Sequence, residues 1–181
     1  MATYTAWLRG INVGGKNKLP MKDLKAMFEQ EGCAEVMTYI QSGNVLFNAT
    51  AAQAGTLGAR VTARIERDLG MKVPVIVRSA AAVKKLASAH PMGDAGAQPK
   101  LFAVGFLEAK PAAAAVKAME VDRFLPDQWQ VAGRDIYLHY PNGMARTKLT
   151  NAYIDQALGT VCTVRNWNTV TKMAALCLER G

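Results

Sequence analysis

Histidine is nearly absent from this sequence, represented only by His90 and His139, and cysteine is scarce, at Cys33, Cys162 and Cys177. Two histidines leave no room for a histidine-based metal cluster. Three cysteines, odd in number, widely spaced and set among apolar residues, suggest neither a disulfide framework nor a zinc site, and they suit a reducing cytoplasm. No run approaches the ~18 apolar residues of a membrane span. The opening MATYTAWLRGIN also lacks the charged start and long apolar core of a signal peptide. A soluble cytoplasmic protein is the expectation, with no membrane partner, no metal and no cofactor implied, and with its oligomeric state open. Catalytic patterns are missing too. Ser42 in QSGNV does not sit in a GxSxG elbow, and the carboxylates form no evident acid–base pair.

Apolar mass and positive charge are what the chain does have. Half of its 181 residues are hydrophobic, ample for a core. A formal net charge of +8 draws in phosphates and carboxylates, so anionic partners are favoured.

The stretch from Tyr4 to Phe47 organises the rest. Tyr4 to Gly10 alternates with the period of a half-buried strand until Gly10, Gly14 and Gly15 break it. Pro20 suits a first helical position, and Met21, Leu24, Met27 and Phe28 follow at helical spacing up to Gly32. Val36 to Gln41 and Asn44 to Asn48 read as strands joined across Ser42-Gly43, a hairpin. Leu57, Val61, Ile65 and Leu69 mark a second helix closed by Gly70, and Lys72 to Arg78 a fourth strand, at a sheet edge where Pro74 is tolerated.

Strand, helix, strand, strand, helix, strand is the ferredoxin-like order. After a helix over Ala80 to Ala89 and a Gly/Pro linker over Pro91 to Pro99, the order begins again. Leu101 to Glu108 is a strand and Pro111 to Met119 a helix. Gln128 to Ala132 and Asp135 to Tyr140 form a hairpin across Gly133-Arg134. Lys148 to Leu158 is a helix, Thr160 to Arg165 a strand, and Trp167 to Leu178 an extra helix. The expected fold is α+β, two ferredoxin-like βαββαβ repeats with largely antiparallel sheets. The repeats are 1–79 and 100–181, with 80–99 connecting them, and their likeness is one of pattern, since identity between the halves is slight.

Three motifs, LRGINVGGKN (Leu8 to Asn17), YIQSGNVLF (Tyr39 to Phe47) and TVRNWNTVTKMAAL (Thr163 to Leu176), resemble those of a bacterial family known as domain of unknown function 1697. The resemblance implies an α+β protein built of ferredoxin-like units. It brings no activity, substrate or catalytic residue with it.

Chemistry therefore has to come from placement. In the ferredoxin-like order the first and second strands are parallel with the third between them, so the loop Arg9 to Lys18 and the turn Gln41 to Asn44 meet at one sheet edge. The first helix begins there, with unpaired N–H groups and the positive end of its dipole. Arg9, Asn12, Gly14, Gly15, Lys16, Asn17 and Lys18, with Gln41, Ser42 and Asn44, are the candidates for an oxyanion or phosphate cradle. The match is not a P-loop, since GxxxxGK[ST] is absent, nor the GxGxxG fingerprint. A plain turn with solvated lysines is the competing reading. A second basic cluster is expected where Arg146 and Lys148 precede one helix and Arg165 another, with Arg165 and Asn168 facing a ligand, or Asn166 or Asn168 capping the last helix. One cleft would collect both clusters only if the two edges faced each other.

A phosphate-bearing small ligand at the Arg9 to Lys18 loop is the leading expectation. The alternatives are a nucleic-acid module, with Trp7, Tyr39, Tyr137 and His139 on one strand parity for base stacking, an enzyme using the same cleft, and a protein-interaction module. Against the nucleic-acid module, NVLFNA lacks the aromatic-rich RNP1 pattern.

Overall fold

The computed structural model describes residues 1–119 and 122–180. They form an α+β protein with two four-stranded antiparallel sheets. The chain divides into two units, Met1–Lys85 with Lys172–Gly181, and Leu86–Thr171.

The first unit runs β1 (Ala2–Leu8), α1 (Met21–Gln30), β2 (Ala34–Tyr39), β3 (Asn44–Ala49), α2 (Ala51–Leu69) and β4 (Val75–Ser79), then enters α3 (Ala80–Ala87). Its sheet order is β2-β3-β1-β4. β3 pairs antiparallel with both β1 and β2, so those two run parallel and end at the same edge. This is the ferredoxin-like topology, and β4 is an edge strand with Pro74 just outside it.

Period-2 alternation decides what the helices cover. Ala6 and Leu8 of β1, Val45 and Phe47 of β3 and Val75 of β4 share a core with Leu24, Phe28, Leu57, Val61 and Ile65 of the two helices. Each fully buried side chain of this size contributes roughly 1.5–3 kcal/mol. Gly58 lets α2 approach the sheet, since a Cβ there would lie 2.5 Å from the Val75 carbonyl oxygen. Leu69, expected on the apolar stripe, is 45% exposed, because the helix ends there and Gly70 turns the chain at φ 65°.

Two local expectations are corrected. Pro20 is the residue before α1, with φ −59° and ψ 140°, and Met21 opens the helix. The β2–β3 corner uses the four residues 40–43, because Ile40 leaves the strand at φ 50° and Asn44 pairs with Tyr39.

The second unit repeats the plan with β5 (Phe102–Leu107), α4 (Ala113–Ala118), β6 (Gln128–Ala132), β7 (Asp135–His139), α5 (Asn151–Leu158) and β8 (Cys162–Asn166), and then enters α6 (Trp167–Glu179). Its sheet order, β6-β7-β5-β8, matches the first. Ala103, Leu107, Ile136, Leu138, Ile154 and Cys162 lie in its core. Helix α5 starts three residues later than spacing predicts, because Thr150 Oγ1 caps the Tyr153 N–H at 3.3 Å and leaves Lys148 in the connection.

Register brings out a correspondence that identity between the halves conceals. Thr5 faces Arg78 across β1 and β4, and Val104 faces Arg165 across β5 and β8. Each of these edge strands ends in a polar residue that caps the next helix: Ser79 Oγ accepts from the Ala82 N–H at 3.2 Å, and Asn166 Oδ1 from the Thr169 N–H at 2.9 Å. No helix among the described residues is long and apolar enough to cross a membrane.

Candidate functional site

At the end of β1 the chain is held from two sides. The Leu8 N–H donates to the Gly43 carbonyl at 2.9 Å, and the Arg9 N–H to the Pro74 carbonyl at 3.1 Å. Arg9 is half-buried there. Beyond it the loop is a miniature hairpin: the Asn12 N–H donates to Asn17 O at 3.1 Å, and the Lys16 N–H to Val13 O at 3.0 Å. Gly14 and Gly15 have φ of 56° and 74°, the two left-handed positions that a tight primed turn requires.

Asn12 is the centre of this arrangement. Its Nδ2 donates to Leu19 O at 2.9 Å and to Gln41 O at 2.8 Å, and its Oδ1 accepts from the Leu19 N–H at 2.9 Å. One side chain thus ties the loop to the approach to α1 and to the β2–β3 corner. The expected meeting of the two polar segments is therefore real within this unit.

The same bonds sort the candidates. Asn12 uses both ends of its amide on the backbone of Leu19 and Gln41. Asn17 Nδ2 closes the loop base on Gly10 O at 2.9 Å. Asn44 is fully buried, with Nδ2 donating to Tyr39 O at 3.0 Å and to Ser42 Oγ at 3.1 Å. These three asparagines build the scaffold. Gly14, Gly15, Lys16, Lys18 and Gln41 are exposed, and Ser42 is half-buried. Helix α1 begins beside them with no side-chain cap, and Lys22 and Asp23 in its first turn are exposed. Among the described residues of the loop, the corner and the first turn of α1, the exposed charged side chains are Lys16, Lys18 and Lys22 against the carboxylate of Asp23.

Arg165 and Asn168 belong to the other unit. Arg165 lies within β8, buried, with Nη1 donating to Val164 O at 3.0 Å, and burial pushes its guanidinium down to about 10. Arg146 and Lys148 line a groove of about 600 Å³ together with Arg123, and Arg165 is not among its walls. The reason is register: Arg165 is paired opposite Val104 within the edge strand β8, whereas the groove is built from connections. Asn166 serves as the α6 cap, and Asn168 is exposed with its carbonyl accepting from Thr171 Oγ1 at 3.2 Å. Arg78, the counterpart of Arg165, went unnoticed in the sequence; the shared Val-Arg-polar ending of the two edge strands was the signal.

The rings offered for base stacking are placed differently from one another. Trp7 is fully buried. His139 stacks on Phe102 with centroids 4.2 Å apart, and His90 meets Phe102, Tyr137 and Trp167 edge-on at 4.8, 5.1 and 5.2 Å. The described residues contain no disulfide and no cluster of metal-ligating side chains, and all three cysteines are buried.

The family described as "Protein of unknown function (DUF1697)" matches residues 1–137, which takes in the first two motifs and stops short of the third. Among curated proteins none matches. Among solved structures, the chain is similar to the conserved bacterial protein SP0830 from Streptococcus pneumoniae, with TM-score 0.67, 19% identity, and 97% of this chain and 98% of that one covered. At that identity the likeness concerns the fold alone.

Proposed function

We propose that this chain, which belongs to the DUF1697 family, binds a phosphate-bearing small ligand at the rim formed by the Arg9 to Lys18 loop, the Gln41–Asn44 corner and the start of α1. One observation carries the reading: the Asn12 clamp holds a cationic glycine hairpin against an uncapped helix start. Such a helix start presents N–H donors and positive potential to an anion, and a loop fixed in advance loses little entropy on binding. Lys16 and Lys18 supply the charge, with Gln41 as an exposed neighbour. The buried cysteines, none of them in a disulfide, support a cytoplasmic setting. The nucleic-acid reading has less behind it, because a base needs an open ring face and Trp7 is fully buried.

A thermal-shift panel of inorganic phosphate, nucleotides and phosphorylated metabolites tests the proposal. At least one should raise the unfolding temperature, and Lys16→Ala with Lys18→Ala should remove that gain. A flat response across the panel would count against it.

A further inference from the structure

We propose a second ligand site, wholly within the Leu86–Thr171 unit: the groove between residues 123–127 and 142–148 takes a small phosphate monoester. The site goes beyond the reading above, which concerns the other unit.

Two connections build the groove, one leading into β6 and one running from β7 to α5. Its volume of about 600 Å³ falls within the ~300–1,000 Å³ typical of small-molecule sites. The walls are tied together rather than merely adjacent. Thr147 Oγ1 on one donates to Asp127 Oδ2 on the other at 2.5 Å, and the same oxygen accepts from the Leu149 N–H at 2.9 Å. Asp127 is 8% exposed, so this bond is sheltered from water and braces one wall against the other.

Charge selects the ligand class. Arg123, Arg146 and Lys148 line the groove and are exposed to it, while Asp127 is the one carboxylate among the described lining residues. Three cations against one carboxylate leave an excess of two positive charges, and a phosphate monoester carries about −1.5 to −2 near neutral pH. Arg123 is also held in place. Its guanidinium lies 5.5 Å from the Phe124 ring centroid and 5.3 Å from that of Tyr153, so aromatic faces orient it before any anion arrives.

The apolar part of the lining separates a monoester from free phosphate. Leu125 is 59% exposed, and Pro126 follows it on the same wall. An organic group esterified to the phosphate would cover that surface. Inorganic phosphate would leave it in water.

Isothermal titration of the full chain with phenyl phosphate, with inorganic phosphate and phenol in parallel, tests the inference. Phenyl phosphate should bind, inorganic phosphate at least tenfold more weakly, and phenol not at all. Arg146→Ala with Lys148→Ala changes only exposed side chains and should weaken phenyl phosphate at least tenfold. Lys148→Glu is an independent second variant with the same expected direction. Repeated in the Lys16→Ala, Lys18→Ala background, which removes the loop of the first unit as a competing anion site, the titration should keep the same order of ligands. The inference is overturned if phenyl phosphate fails to bind at millimolar concentration, if inorganic phosphate binds as tightly, or if folded Arg146 and Lys148 variants keep full affinity. Binding that survives those variants and vanishes with Lys16 and Lys18 would support the loop of the first unit and overturn the groove.

Discussion

Asn12 Nδ2 lies 2.8 Å from Gln41 O, so a residue in the glycine loop holds a hairpin corner 29 positions further along the chain. That bond converts two separate polar segments into one surface. It also means that an asparagine typical of ligand cradles here serves the protein's own backbone.

Asn12→Ala should therefore act on stability and order before it acts on any ligand. Three partly exposed hydrogen bonds are lost and a left-handed residue, φ 55°, gains a less tolerant side chain, for a total of roughly 2 kcal/mol. The urea midpoint should fall, and amide exchange over Val13 to Lys18 should quicken. A variant with unchanged midpoint and unchanged exchange would show that the clamp is dispensable.

Gly43 should tolerate substitution far less well than Gly14. A Cβ at Gly43 would lie 2.7 Å from Leu8 Cβ and 2.8 Å from Ile11 Cδ1, on top of a φ of 80°, whereas a Cβ at Gly14 meets nothing within 4 Å. Gly43→Ala should cost at least ~2 kcal/mol through overpacking and strain, and Gly14→Ala about 1 kcal/mol through strain alone. Paired unfolding curves give the comparison, and equal losses would contradict it.

His90 predicts a pH dependence with a definite sign. Its Nε2 lies 3.3 Å from Ala103 O and its Nδ1 accepts from the Met92 N–H at 3.4 Å, a pattern that fits the neutral ring with a proton on Nε2. Burial pushes its pKa down and nearby His139 adds to this, while hydrogen bonding to the Ala103 carbonyl opposes it. The unfolded chain then binds the proton more readily than the folded one below the ordinary value of about 6.5. Stability from this group is complete above that value and declines as pH falls through it toward the lower folded-state pKa. Melting temperatures of wild type and His90→Phe between pH 8 and pH 5 should diverge accordingly, with the wild type losing more on acidification.

The two asparagines at the start of α6 should behave unlike each other. Asn166→Ala removes the cap on the Thr169 N–H and should cost about 1 kcal/mol. Asn168 is exposed and its side chain caps nothing, so Asn168→Ala should leave the midpoint within ~0.5 kcal/mol of wild type. The reverse outcome would reassign the cap.

Much of the architecture was legible because it is local. Alternation at Tyr4 to Leu8, the i+4 stripe Leu57, Val61 and Ile65, and the Gly70 stop each report a backbone period or a left-handed residue that a few neighbours dictate. The order of those elements then leaves few topologies, and both sheets adopt the expected one. Boundaries were less legible: Lys148 reads as helical until the Thr150 cap is seen to start α5 later.

Roles were harder to read than elements, because a polar side chain's partner is set by contacts distant in sequence. Asn12, Asn17 and Asn44 looked equivalent to Lys16 and Lys18 as ligand candidates, yet their amides go to Leu19, Gln41, Gly10 and Tyr39. Nothing in the local pattern marks Arg123 as a neighbour of Arg146 and Lys148 either, since more than twenty residues and a β-hairpin intervene.

Periodicity and glycine placement alone thus determined two βαββαβ units and the edge at which the Arg9 to Lys18 loop meets the Gln41–Asn44 corner. Only tertiary structure decided which polar groups remain for a ligand, because satisfying buried backbone donors and acceptors takes precedence, and that demand is known only once the chain has closed on itself.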